Sequence, residues 1–239
     1  LSEWKVRTPH ISDKGEHCNM IKTMLFDLDG TIVDTNELII QTFLHVLKGH
    51  VPPDFSREQI IPHMGTPLDY QMRLFTGRDD VDEFTAAYRS YNRDKHDELV
   101  KEFPHVKEVI ERLHRHGVRM GVVTTKIRET TERALKMFGL APYMDTLVTI
   151  DDVKHPKPHP EPVLIAMEQL GADPATTMMV GDSPADIQSG NAAGAVSVAV
   201  AWSLKGEDAL RQFEPKHIIY DMRDLYPFAG LERDSVEKT

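Results

Sequence analysis

One cysteine, Cys18, serves a chain of 239 residues. That excludes an intramolecular disulfide framework and a cysteine-built zinc site, and it suits a reducing compartment. Basic charge is scarce as well: 28 Lys and Arg stand against 38 Asp and Glu, for a formal net charge of -10. Nucleic-acid binding draws its affinity from clustered cations, so no nucleic acid is expected as a partner. No apolar run is long enough to cross a bilayer, and no membrane partner is expected either. The opening stretch LSEWKVRTPHISDKGEHCN lacks the apolar segment of a secretory signal, which makes a cytoplasmic location the expectation.

What the chain does have is 40% hydrophobic and 28% charged residues, enough for one full core and a smaller insert. Residues 1–19 read as a polar extension, and the first periodic segment begins at Met20, so a start at Met20 and a genuine extension both remain open. IKTMLFDLDG reads as a buried strand running into an acidic, glycine-bearing loop. Further short apolar runs lie at 118–124, 146–150, 177–180, 196–200 and 217–220. Helical patterns separate them. Val106, Val109, Ile110 and Leu113 fall on one helical face, as do Ala134, Leu135 and Phe138, and again Val163, Met167 and Leu170 after a proline-rich entry.

Strands alternating with amphipathic helices imply an α/β fold, a doubly wound parallel sheet covered on both faces. Residues 35–104 break the alternation with helical patterns and no convincing strand. They read as an inserted helical cap, its turns marked by Pro52-Pro53 and Gly77, between core segments 20–34 and 105–239.

Sites of doubly wound sheets form beyond the carboxyl ends of the strands. There the sequence places Asp27, Asp29, Gly30 and Thr31, then Thr124 and Thr125, then Lys157, then Asp182 and Asp186. These residue types provide a nucleophile, an acid/base, a divalent-cation site and donors to phosphoryl oxygens, the parts that phosphoryl transfer needs. Asp27 and Asp29 would repel each other in a loop without a cation. Two carboxylates two residues apart cannot face one substrate equally from a regular strand, so the chain must turn after Asp27, and Gly30 gives the freedom to do so. On an acidic protein an anionic substrate also needs fixed cations in the cleft, which a bound metal ion and Lys157 would supply.

FDLDGT, VVTT, KP and GDSPADI, in this order, resemble the four motifs of the haloacid dehalogenase superfamily of phosphatases, over nearly the whole chain from Met20. The resemblance implies an enzyme in which Asp27 is the nucleophile and Asp29 the general acid, later the base that activates water. It implies Mg2+ held by Asp27, the backbone carbonyl of Asp29, and Asp182. Thr124 would donate to a phosphoryl oxygen and Lys157 would neutralise developing charge. Asp186, one turn beyond Asp182, would bind metal-bound water or cap its helix. Asp29 also disfavours dehalogenation, since the dehalogenase members lack that acid, and the complete set of parts disfavours a silent binding module.

For the substrate, TNELII, VTTKIRET, TIDDVK, KPHPEPV and VAWSLKG resemble a bacterial pyrophosphatase branch related to phosphoglycolate phosphatases. Those relatives commonly carry asparagine where this chain has Thr125. The resemblance implies a small phosphorylated substrate, with inorganic pyrophosphate favoured, phosphoglycolate or another small monoester as the alternative, and a link to dephosphorylation of serine-phosphorylated HPr. Gly30, Thr125 and Lys126 are candidate substrate contacts. Lys126, Arg128 and Lys205 could each meet a second phosphate or lie on a helix surface. Asn36, Glu37 and His45 could line the cleft or merely cap and face the first cap helix. His155 and His159 lack metal-ligand spacing and read as loop residues. Hinges for cap motion are expected near 34–36 and 103–105.

Overall fold

The computed structural model describes residues 20–233, so the expectation for residues 1–19 lies outside the described residues. The chain opens with β1 (Thr23–Phe26), whose four residues are all buried. After a tight loop it forms β2 (Val33–Asp34) and then four helices: α1 (Asn36–Val46), α2 (Arg57–Ile60), α3 (Leu68–Thr76) and α4 (Asp82–Leu99). The strand β3 (Lys101–Glu102) returns antiparallel to β2. Helix and strand then alternate: α5 (Val106–Arg115), β4 (Arg119–Val123), α6 (Arg128–Met137), β5 (Thr146–Val148), α7 (Glu161–Leu170), β6 (Thr177–Gly181), α8 (Pro184–Ala192), β7 (Val196–Val200), α9 (Glu207–Arg211) and β8 (His217–Ile219).

Six strands form one parallel sheet in the order β5-β4-β1-β6-β7-β8. From β1 the chain winds outward through β4 and β5, then crosses back to β6 on the other side of β1 and continues to β7 and β8. The reversal places a crevice at the carboxyl end of β1, between β4 and β6, where neighbouring loops must diverge. Register is continuous there: Phe26 pairs with both Val122 and Val180.

Side-chain alternation along the strands builds two apolar layers. Met24 and Phe26 join Val109, Ile110, Leu113, Val122 and Val180 on one face. Leu25 joins Val123, Val148, Val163, Met167 and Leu170 on the other. The helical faces expected at Val106–Leu113 and Val163–Leu170 are therefore the ones buried on the sheet. Phe138 is the C-cap of α6 and only packs partly against its layer.

The inserted helices carry an apolar cluster of their own, built on Ile40, Phe43, Leu47, Ile60, Met64, Met72, Val81 and Phe84. Gly77, expected at a turn, ends α3 in the left-handed conformation. One expectation needs correction: 35–104 does contain a strand. Lys101–Glu102 pairs with Val33–Asp34 to form a two-stranded neck under the insert. Both β3 residues are exposed and charged, so no apolar run announced them. Among the described residues, no helix is long and apolar enough to cross a membrane.

Candidate active site

The groups expected at strand ends converge on the crevice beside β1. The Asp27 amide still belongs to the sheet, donating to the Val180 carbonyl at 2.9 Å. Past it the chain turns. Gly30 has φ +80, and a Cβ there would lie 2.8 Å from Asp182 Oδ2, so only glycine lets the loop fold over that carboxylate. Gly30, expected among the substrate contacts, thus lies against Asp182 and outside the cleft lining.

Lys157 ties the centre together. Its Nζ donates to Asp27 Oδ1 at 2.7 Å, to Asp186 Oδ1 at 2.6 Å and to the Val123 carbonyl at 2.7 Å, which uses all three ammonium protons. Asp27, Lys157, Asp182 and Asp186 are all at most 5% exposed. The second Asp186 oxygen accepts from Ser183 N at 3.0 Å and Ser183 Oγ at 2.6 Å, closing a capping box at the start of α8. Both Asp186 oxygens are therefore engaged: of the two roles left open for it, the cap is present, and its other oxygen anchors Lys157, a contact the sequence reading did not name. Gly181 makes this possible, because a Cβ there would sit 2.2 Å from the Asp186 Cβ.

Asp182 is held at its backbone carbonyl by Ser203 Oγ at 2.7 Å and at Oδ2 by Lys205 Nζ at 3.2 Å. Asp29 accepts from Lys126 Nζ at 2.9 and 3.2 Å. The Thr124 hydroxyl accepts from Lys126 N at 3.1 Å, and its own proton meets no acceptor among the described residues. Thr125 reaches across to the insert, donating to the Gly65 carbonyl at 3.1 Å.

A haloacid dehalogenase-like hydrolase family profile matches residues 24–200, across both the sheet and the insert. The chain belongs to that family. This hydrolase is 44% identical over 212 residues to the protein named Pyrophosphatase PpaX of Bacillus velezensis, covering 89% of this chain and 98% of the relative. Identity to the Pyrophosphatase PpaX of Bacillus cereus is 45% over 209 residues, 87% of this chain and 95% of the relative. Among solved structures, a haloacid dehalogenase-like hydrolase from Bacteroides fragilis superposes with a TM-score of 0.78 at 25% identity, covering 86% of this chain and 99% of that one. A Lactobacillus plantarum protein described as a phosphoglycolate phosphatase gives a TM-score of 0.80 at 23% identity over 87% of this chain and 99% of its own, a likeness of fold.

Electrostatics in the hydrolase site are unbalanced. Four carboxylates, Asp27, Asp29, Asp182 and Asp186, face three ammonium groups, Lys126, Lys157 and Lys205. Burial raises the Asp27 pKa well above the carboxylate range; Lys157 opposes the rise, and Asp186, Asp182 and Asp29 add to it. Burial likewise raises Asp182 against the pull of Lys205. For Lys157 burial acts downward, but Asp186 and Asp27 override it and keep the ammonium charged far beyond neutral pH. A divalent cation would turn that deficit of one charge into an excess fit for an anion, and the donor set suits one: carboxylate oxygens of Asp27, Asp182 and Asp186 lie within 4.8 Å of one another. The buried Oδ1 of Asn36 has no partner among the described residues and sits on the same side of Gly30 as Asp182, a spare hard acceptor. His155, His159 and Glu161 also cluster, but Glu161 accepts from His155 Nδ1 at 2.6 Å while its amide donates to His159 Nδ1 at 3.1 Å. Those bonds order the loop before α7, in keeping with the reading of both histidines as loop residues.

Between the site and the insert lies a cleft of about 280 Å³ that includes Asp27, Asp29, Thr124, Thr125 and Lys126. Its insert side is formed by Ile39, Met64, Leu68, Gln71, Tyr88, Arg89, Asn92 and Arg93, among others. Six sequence candidates are absent from it: Gly30, Asn36, Glu37, His45, Arg128 and Lys205. Arg128 bonds Asp152 Oδ2 at 2.6 Å and the Leu147 carbonyl at 3.2 Å. Glu37 pairs with Arg57 at 2.9 Å on the surface, and His45 stacks on Tyr91 with ring centroids 4.0 Å apart. Conversely, sequence reasoning passed over Tyr88, Arg89 and Asn92, whose one signal was polar residues recurring at helical spacing in α4.

Proposed function

We propose that this hydrolase is a Mg2+-dependent inorganic pyrophosphatase that works through an aspartyl-phosphate on Asp27. The observation that carries the substrate is the 44–45% identity to pyrophosphatases along almost the full length of both chains. The side chains of Asp27 and Asp182, with the backbone carbonyl of Asp29, would hold the metal ion, with Asp186 behind them as the anchor of Lys157. When bound, Mg2+ supplies positive charge that polarises the phosphoryl oxygens and lets Asp27 stay ionised despite its burial.

The protein's own groups divide the work. An ionised Asp27 oxygen attacks one phosphorus; the bond from that phosphorus to the bridging oxygen breaks, and the second phosphate leaves. Asp29, at the cleft wall, gives the leaving oxygen its proton. Thr124 donates its free hydroxyl proton to a phosphoryl oxygen, and Lys157, already 2.7 Å from the nucleophile, offsets charge on the attacked group. Asp29 then takes a proton from water as it attacks the acyl phosphate, which releases the phosphate that Asp27 had captured and restores Asp27. The inserted helices act as the cap that keeps bulk water out. We place the protein in the cytoplasm, consuming pyrophosphate released when serine-phosphorylated HPr is dephosphorylated.

The apolar walls Ile39, Met64 and Leu68 favour a second reading, a phosphatase for a small carbon-bearing monoester such as phosphoglycolate. Side-by-side rates on pyrophosphate, phosphoglycolate and p-nitrophenyl phosphate, with Mg2+ and with a chelator, separate the two. Pyrophosphate should give the highest kcat/KM, lost on chelation and recovered with Mg2+. A faster phosphoglycolate reaction, or a rate indifferent to the chelator, would reverse the assignment.

A further inference from the structure

The cleft wall supplied by α4 carries Tyr88, Arg89, Asn92 and Arg93, so residues one, three and four apart share the face turned toward Asp27 and Asp29. Its cations differ in their ties. Lys126 is held by Asp29, and Arg93 lies 3.3 Å from both carboxylate oxygens of Glu129. Arg89 has no hydrogen-bond or ion-pair partner among the described residues, although it lines the same cleft. Beside it Asn92 is only 5% exposed, and its side-chain amide likewise has no partner among the described residues. An amide on a largely buried residue that lines the cleft keeps its donors available to a ligand, and a free guanidinium in a cleft next to a carboxylate proposed to attack has the fork geometry that grips phosphate.

We propose that Arg89 and Asn92 form the binding site for the phosphate of pyrophosphate that is not attacked by Asp27. This rests on the pyrophosphatase reading. Pyrophosphate differs from a monoester in carrying a second anionic group beyond the bridging oxygen, and that group cannot enter the cleft without donors. When the bridging bond breaks, charge grows on this departing phosphate, where Arg89 offsets it while Asp29 protonates the oxygen. A monoester has carbon in that place and makes no demand on Arg89, so the guanidinium selects for a diphosphate.

Two measurements test this. In the first, calorimetry follows pyrophosphate with Mg2+ binding to Asp27→Asn protein and to Asp27→Asn combined with Arg89→Met. The second change should weaken binding about 10- to 100-fold, the loss expected for a charge-assisted contact; equal affinities overturn the proposal. In the second, Arg89→Met and Asn92→Leu are introduced singly into the otherwise unaltered enzyme. Each should lower kcat/KM for pyrophosphate while kcat/KM for p-nitrophenyl phosphate stays within about twofold. A parallel fall on both substrates would mean that these residues only support the cap, and would equally overturn it. Wild-type protein that binds pyrophosphate but does not turn it over would refute the pyrophosphatase reading alone, with the calorimetry still deciding the subsite.

Discussion

Around Asp27 every charged side chain is tied down: Lys157 spends all three protons on Asp27, Asp186 and Val123, Lys126 grips Asp29, and Lys205 grips Asp182. Across the cleft, the inserted helices are wired loosely. Asn92 and Arg89 have no partner among the described residues, and the buried Gln71 Oε1 and His96 Nε2 are also unpaired. The contrast teaches a division of labour. A preorganised site fixes what reaction occurs, because its groups need not reorient as charge develops. A wall with unspent donors leaves the choice of substrate to whatever completes it.

The sharpest way to break this contrast is to remove the proposed nucleophile. Asp27→Asn should cut kcat on the order of 10^4-fold or more while far-UV circular dichroism stays unchanged. Retained turnover would mean that another group attacks phosphorus.

Lys157→Met comes next, because it attacks the wiring itself. It should lower kcat by about 10² to 10³-fold. It should also cost about 3–5 kcal/mol of stability near neutral pH, since Asp27 and Asp186 lose their shared counter-charge. Chemical denaturation should show that penalty shrinking toward acid pH. Burial already raises the Asp27 pKa, and without Lys157 a bound proton replaces the lost cation as pH falls. A penalty independent of pH would disprove the electrostatic account.

The smallest effect belongs to the insert. His96 in α4 has its pKa lowered from 6.5, by burial above all; the Asp97 hydrogen bond opposes this, and Lys126 and Arg133 add to the fall. The native state thus resists protonation that the unfolded chain accepts. Stability from the neutral imidazole is complete above pH 6.5 and drains away as pH drops toward the depressed value. His96→Gln should flatten the fall in thermal stability between pH 7 and pH 5. An unaltered profile would show that His96 does not govern the acid limb.

Much of the sheet was legible because a strand buried on both faces must be a continuous apolar run, and each of the six runs became a parallel strand. The placement of Asp27 and Asp182 was legible for a related reason: polar residues directly after such runs have nowhere to go but the crevice, whereas Lys157, nine residues past β5, was legible only through its motif. The neck was illegible, since Lys101 and Glu102 pair through backbone alone. Arg128, Glu37 and His45 were left open between the cleft and the helix surface because a helix sequence does not say which partner a long side chain will find; Asp152, Arg57 and Tyr91 are set by tertiary packing. Arg89 and Asn92 were hidden the opposite way. In DEFTAAYRSYNRDKHDEL they look like solvated helix surface, and only the sheet facing them turns that surface into a wall.

The bond from Lys157 to Asp27 joins residues 130 positions apart. A ribosome therefore makes the Asp27 carboxylate long before it has made the lysine, and longer still before Asp182. A chain that ends short of Lys157 lacks the ammonium that meets the Asp27 carboxylate, so this contact can form only after β1, β4 and β5 have been made.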